Sequence, residues 1–420
     1  MPSLSGHARR KANRRRFRTM AAEPLESRQL LAGFAVPDKS PIDAALIRLA
    51  ETPGVPVGQG PVNTTAIIAA AKVAGISVNP FGDIGVTITG VDTTALLPGL
   101  EARGLVVTAN LPSHHLVEGY LPATSLESLL DLRSQGLLGV RASYAPITRT
   151  GAVADQADIV QESDRVRTAL PTGYDGSGVK VGVLSDSYNS LLGAATDNGT
   201  GDLPGVQVVQ DSNGTDEGRA MLQLVHDVAP GAGLVFATAN GGEANFAQNI
   251  RELVGVPYSV DVIVADVGYP AEPMFQDGII AQAVDDVVAN AGVAYFAAAG
   301  NAADQSYEST NIEFDIDPLG FGPFGPAKCY DFNPSPFVAD FRQFITLQHG
   351  QSILLSLQWD DPFYTATGVD TDLDISLVRR NSNVVFAGSY NENVIDQNPS
   401  EVFGFTNDTA ATGTTEFEII

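Results

Sequence analysis

Between residues 175 and 301 the chain alternates short apolar runs with longer amphipathic stretches. Val179–Leu184, Val206–Val209, Leu234–Ala237, Val262–Ala265 and Val293–Ala298 are apolar almost throughout, the pattern of strands buried on both faces. Between the later runs, Gly218–Val228, Glu243–Leu253 and Gln276–Asn290 read as helices. In the first, Met221, Leu224, Val225 and Val228 fall at i, i+3, i+4 and i+7, which predicts one apolar face. Pro230-Gly231 then ends it. This alternation predicts a doubly wound parallel α/β sheet. Ligands on such sheets sit beyond the carboxyl ends of the strands. Asp186, after the first run, and Asn301, after the last, belong to that edge.

The flanks follow other patterns. From Pro41 to about Thr150, Val86–Thr89 alternates like a strand, Thr93–Arg103 reads helical and Leu105–Thr108 is strand again. Leu116–Leu121, a helix near Leu126–Leu132 and the strand Gly139–Tyr144 complete a ferredoxin-like α+β order. From Asp331 onward there are short strands and turns with no helix pattern: Phe344–Leu347, Ser352–Leu357, Leu373–Val378, Asn383–Ala387 and Glu401–Phe405. That predicts a β-sandwich. Thr415–Ile420 reads as a further strand, still in progress where the sequence stops.

Charge adds an address and removes partners. The 420 residues carry 24 Lys+Arg against 49 Asp+Glu, a formal net charge of −25, which argues against nucleic acid and anionic lipid as partners. Cys329 is the single cysteine, so neither a disulfide framework nor a Cys-rich metal site is available. No run of eighteen apolar residues exists to form a transmembrane helix. Residues 1–20 hold seven basic residues and no acid, a basic head on an acidic body, and read as a targeting segment or a plain disordered tail. Leu25-Glu26-Ser27-Arg28-Gln29-Leu30-Leu31 follows and resembles the sorting motif of planctomycete exported proteins. That resemblance implies export to the bacterial cell surface or beyond, with residues 1–33 as the export segment.

Three segments carry candidate chemistry. Val179–Leu184 delivers Asp186 to a strand end, Asp216-Glu217 opens the helix that runs to Ala229-Pro230-Gly231-Ala232, and Ala297-Ala298-Ala299-Gly300-Asn301 closes the last strand. Singly, Asp186 is a turn residue, Asp216 or Glu217 a helix cap, and Asn301 a strand terminator. Together, in this order, they resemble the subtilisin-like serine peptidases. The resemblance implies a catalytic acid at Asp186 and an oxyanion amide at Asn301. Where that family has His, this chain has Glu217, as in the acid-acting sedolisins. Sedolisins also carry an Asp four residues on, where Met221 stands here, and use Asp where this chain has Asn301. Asp186 and Glu217 would then form the base system, and proximity of the two carboxylates would raise the pKa of Glu217. His226 lies nine residues after Glu217, half a turn out of phase, and reads as a structural or surface residue.

The nucleophile is missing from the pattern. No serine after Asn301 stands in the family's Gly-Thr-Ser followed by a helical run. Gly350-Gln351 and Asp372-Leu373-Asp374 resemble the pre-peptidase C-terminal type β-sandwich of secreted peptidases. If that sandwich is inserted, the serine segment falls beyond Ile420. The resemblance thus divides the chain into an export segment (1–33), a pro-domain-like α+β region (34–165), an incomplete subtilisin-like catalytic domain (166–330) and an interrupted sandwich (331–420). It implies a serine endopeptidase acting on protein or peptide substrates, with no required cofactor. Asp370, Asp372 and Asp374 are calcium candidates, or a solvated acidic loop. The rival expectation is a catalytically dead pseudo-peptidase, or a gene fragment, acting as a cell-surface binding protein.

Overall fold

The computed structural model describes residues 41–51, 63–146, 156–169, 174–302, 305–309, 314–316, 328–333, 340–382, 384–408 and 413–420. Residues 1–33, expected to be an export segment, lie outside them.

The N-terminal unit begins with two helices, α1 (Ala44–Glu51) and α2 (Thr64–Ala74), that the hydrophobic pattern did not announce. The α2 sequence is mostly Ala and Ile and carries no narrow apolar stripe; its ends are fixed locally. Asn63 accepts the Ala66 N–H at 3.2 Å, and Gly75 closes the helix at φ 71°. Then follow β1 (Ile84–Gly90), α3 (Thr93–Glu101), β2 (Val106–Leu111), β3 (Leu116–Leu121) and β4 (Leu137–Ala142). The antiparallel sheet has the order β2-β3-β1-β4, as the ferredoxin-like pattern predicts. The second crossover is a 3₁₀ helix, Glu127–Gln135, rather than an α-helix. Ile84, Val86 and Ile88 project to one face of β1 and are fully buried with Leu96, Leu100, Leu129 and Val140.

After α4 (Ala157–Val160) and α5 (Ser163–Ala169), which runs across the expected boundary at 165/166, comes the parallel unit. Its elements are β5 (Lys180–Ser185), α6 (Ala194–Thr200), β6 (Val206–Gln210), α7 (Glu217–Val228), β7 (Gly233–Thr238), α8 (Glu243–Val254), β8 (Val262–Ala265), α9 (Ile279–Asp286) and β9 (Ala294–Ala297). One π turn, Val287–Ala291, continues α9. The sheet order is β6-β7-β5-β8-β9, parallel throughout. The first three strands lie on one side of the β5–β8 junction and the rest on the other, which is the doubly wound arrangement.

Two expectations need correction here. Only β5 and β7 are buried along nearly their whole length; β6 and β9 are edge strands with exposed residues, and Phe296 is 60% exposed. An apolar run alone does not distinguish centre from edge. The buried apolar positions of α7 are Gly218 and Leu222, with Met221, Val225 and the C-cap Ala229 partly buried beside them, whereas Leu224 is exposed. Gly218 sets this phase: a Cβ there would lie 2.3 Å from Phe236 Cε2.

A short hairpin, β10 (Phe314–Ile316) with β11 (Lys328–Tyr330), leads to the C-terminal region. Its elements are β12 (Gln343–Gln348), β13 (Ser352–Gln358), β14 (Ile375–Arg379), β15 (Val385–Ser389), α10 (Asn393–Asp396), β16 (Ser400–Thr406) and β17 (Thr414–Ile419). The sheet β12-β17-β14-β15 and the pair β13-β16, all antiparallel, share one core of Leu347, Ile375, Leu377, Phe403, Phe405 and Phe417. The one-turn helix α10 was not expected. The strand read as unfinished, β17, lies inside its sheet, paired with both β12 and β14.

Candidate functional site

Asp186 leaves the carboxyl end of β5 and is 4% exposed. Its Oδ2 accepts the Thr215 N–H at 2.5 Å and the Thr215 hydroxyl at 2.6 Å; its Oδ1 accepts the Ser187 N–H at 2.5 Å and the Glu217 N–H at 3.0 Å. The Glu217 N–H is one of the four N–H groups that the start of α7 leaves without a helical partner. The loop before α7 comes this close because residue 214 is glycine: a Cβ would sit 2.6 Å from Asp186 Oδ2. The Asp186 carbonyl is also held, by the Thr238 hydroxyl at 2.6 Å and Asn240 Nδ2 at 3.0 Å.

Glu217 is likewise 4% exposed. Its Oε2 accepts the Ser185 hydroxyl at 3.2 Å, while its backbone N–H donates to Asp186. Asp216 occupies the N-cap position at φ 60° but does not cap α7 through its side chain. Instead its carboxylate accepts the Ser190 and Leu191 N–H groups at 2.7 and 3.0 Å and pairs with Arg219 at 3.0 Å. Burial opposes ionisation of Asp216, but the donors from Leu191, Arg219, Ser187 and Ser190 prevail and hold its pKa below the ordinary value. The Ser187 hydroxyl lies 3.3 Å from Asp186 Oδ1 and 3.1 Å from Asp216 Oδ1, bridging the two carboxylates with one proton.

Asn301 follows Gly300 (φ 72°) beyond β9 and is exposed. The strand it follows, β9, is two strand spacings from β5, about 10 Å, with β8 between them. The fold thus brings Asp186 and Glu217 into contact and sets Asn301 along the same edge. His226 lies on α7 with its Nδ1 buried and without a hydrogen-bond partner. Sequence reasoning missed Ser185, Thr215, Thr238 and Asn240. The first two are small hydroxyls beside acids, too common to flag, and only the register Ser185↔Thr238 reveals the third.

The calcium candidates do not converge. Asp370, Asp372 and Asp374 are exposed, Asp372 accepts the Asn393 N–H at 3.1 Å, and among the described residues no three His, Cys, Asp or Glu are placed to hold a metal ion. Among the described residues no helix is long and apolar enough to cross a membrane.

A second group of carboxylates lies where the N-terminal unit meets α8. Glu118 of β3 accepts the Ala244 N–H at 2.9 Å, and the Thr87 hydroxyl lies 3.4 Å from its other oxygen. Burial pushes its pKa up to about 7, against the N–H groups of Ala244, Asn245 and Glu243. Burial, then the charges of Glu118 and Glu272, raises Glu243 as well, and burial alone raises Glu272.

No family model and no curated protein matches this chain. Among solved structures it is similar to the epidermin leader peptide processing serine protease (EpiP) of Staphylococcus aureus, at 14% identity and a TM-score of 0.31. That match covers 54% of this chain and 64% of EpiP. Fervidolysin from Fervidobacterium pennivorans, a keratinolytic enzyme related to subtilisin, is 14% identical at a TM-score of 0.31, over 52% of this chain and 40% of that one. This chain therefore covers less than two thirds of the length of either. Likeness this slight assigns no function, which is read instead from the residues around Asp186.

Proposed function

We propose that this is an exported serine-type endopeptidase of the subtilisin-like kind, with Glu217 in place of the usual His base. The observation that carries the reading is the junction of β5 and α7, where the strand-end acid Asp186 accepts the Glu217 N–H at the carboxyl edge of the sheet. In this reading Asp186 anchors the first turn of α7, and Glu217 takes the proton of an attacking serine hydroxyl. Asn301 donates to the oxyanion that forms at the substrate carbonyl. In this reading the N-terminal unit corresponds to a pro-domain that is retained, and the C-terminal sheets to a pre-peptidase sandwich.

The burial of both acids favours a second reading, in which the site is catalytically silent and the molecule binds proteins or glycans at the cell surface. One experiment separates them. The protein from its native source is treated with a fluorophosphonate probe and assayed on denatured casein between about pH 4 and 7, spanning the carboxylate range. Labelling of a serine, with casein cleavage, supports the peptidase. Glu217→Gln then lowers turnover by about 10²–10⁴-fold, the contribution of a general base. No labelling and no cleavage overturns the peptidase reading; unchanged turnover in Glu217→Gln overturns the base assignment alone.

A further inference from the structure

The N-terminal unit is gripped from two sides. Against the parallel unit, the Thr108 hydroxyl of β2 donates to the Gly241 carbonyl at 3.1 Å, and Glu118 of β3 accepts the Ala244 N–H. Gly242, at φ 96°, makes room for this contact: a Cβ there would lie 2.2 Å from Glu118 Oε2. Ala109 and Leu116 of the N-terminal unit are buried in the same cluster as Phe246 and Ile250 of α8.

Against the C-terminal sheets, Arg141 of β4 donates to Asp396 Oδ1 at 2.9 Å and to the carbonyls of Ser400 and Asn398 at 2.8 and 3.2 Å. The Arg141 and Asp396 side chains are only 7% and 5% exposed. The Tyr144 hydroxyl donates to the Val402 carbonyl at 2.9 Å, the Thr89 hydroxyl to the Asp396 carbonyl at 3.2 Å, and the Ala44 N–H to Asn391 Oδ1 at 3.1 Å. Val402 of β16 is buried within the N-terminal core itself. A Cβ on Gly404 would meet the Val73 carbonyl at 2.7 Å, so β16 lies directly on α2. These are buried or part-buried, directional contacts of the kind found inside a domain. Separating the units would strand Arg141 and Asp396 without each other.

We propose that residues 41–146 are a permanent structural part of the molecule, which stays bound to the parallel unit and the C-terminal sheets after the backbone is cut between residues 146 and 156. The contacts that carry this are independent of whether Glu217 is catalytic. The test is to place a specific protease site between those residues, cut the folded protein to completion, and run gel filtration in low salt and in about 1 M salt, where exposed ion pairs are screened but buried ones much less so. Both pieces are expected in one peak at the position of the uncut protein, and Arg141→Ala is expected to speed release of the N-terminal piece at least tenfold. Separation of the wild-type pieces in low salt overturns the proposal. A second measurement avoids the inserted site: residues 1–150, tagged, and 151–420 are co-expressed as separate chains. Stoichiometric co-purification supports permanence, and recovery of folded 1–150 alone overturns it.

Discussion

Each oxygen of Asp186 is met by backbone N–H groups, and the loop that brings them is possible only because residues 214 and 218 lack side chains. Gly218 is the more demanding of the two, lying against the Phe236 ring where a Cβ would also meet the Ser187 carbonyl at 2.8 Å. Gly218→Ala is therefore expected to destabilise the protein by about 1–3 kcal/mol through overpacking. Gly205→Ala, where a Cβ meets nothing within 4 Å, should stay within about 0.5 kcal/mol of wild type. Thermal denaturation of the two variants checks the contrast. At this scale Asp186 and Glu217 were legible, since a strand end and a helix start are visible in the apolar pattern. Their partners were not. Ser185 and Thr215 reach the acids through the fold of the loop, and the exposure of Leu224 depends on a helix phase that a glycine sets.

Most strands were legible to within a residue or two, because apolar runs bounded by turn residues have little freedom to be anything else. Helices were less so. The mostly apolar α2 offers no contrast between faces, and α6, with the sequence AATDNGT, is short and polar. The approach of β3 to the first turn of α8 was also invisible, although it has a pH signature. The Glu118 carboxyl, ordinarily near 4.5, is pushed up to about 7 in the folded protein, so folding takes up a proton between those values. Its contribution to stability is full below about pH 4.5 and is lost as pH rises through about 7, by roughly 3 kcal/mol. Glu118→Gln should flatten this slope. Urea unfolding of both proteins at several pH values measures it, and parallel curves would falsify the assignment.

The whole molecule was the least legible. Nothing in a local window announces that Arg141 meets Asp396, 255 residues away, or that β16 completes the core of the first unit. The two ends of the chain are thereby made interdependent. Arg141→Ala is expected to cost about 3–5 kcal/mol, the price of leaving a buried charge uncompensated. Its unfolding transition, followed by the fluorescence of Trp359, the single tryptophan and a buried residue of the C-terminal region, should coincide with that seen by far-ultraviolet circular dichroism. Two separated transitions in the wild type would show that the ends melt independently.

The position of β17 bears on how the protein is made. Its sheet cannot close until residue 419 has left the ribosome, since β12 and β14 meet only through it. The N-terminal unit, synthesised first, must wait for the acceptors of Arg141 and Tyr144, which come some 255 residues later. At about 5–20 residues per second that is a delay of roughly 13–50 s. Throughout it, the surface of α2 and β4 that β16 will cover stands open, a natural place for a chaperone to act on the nascent chain.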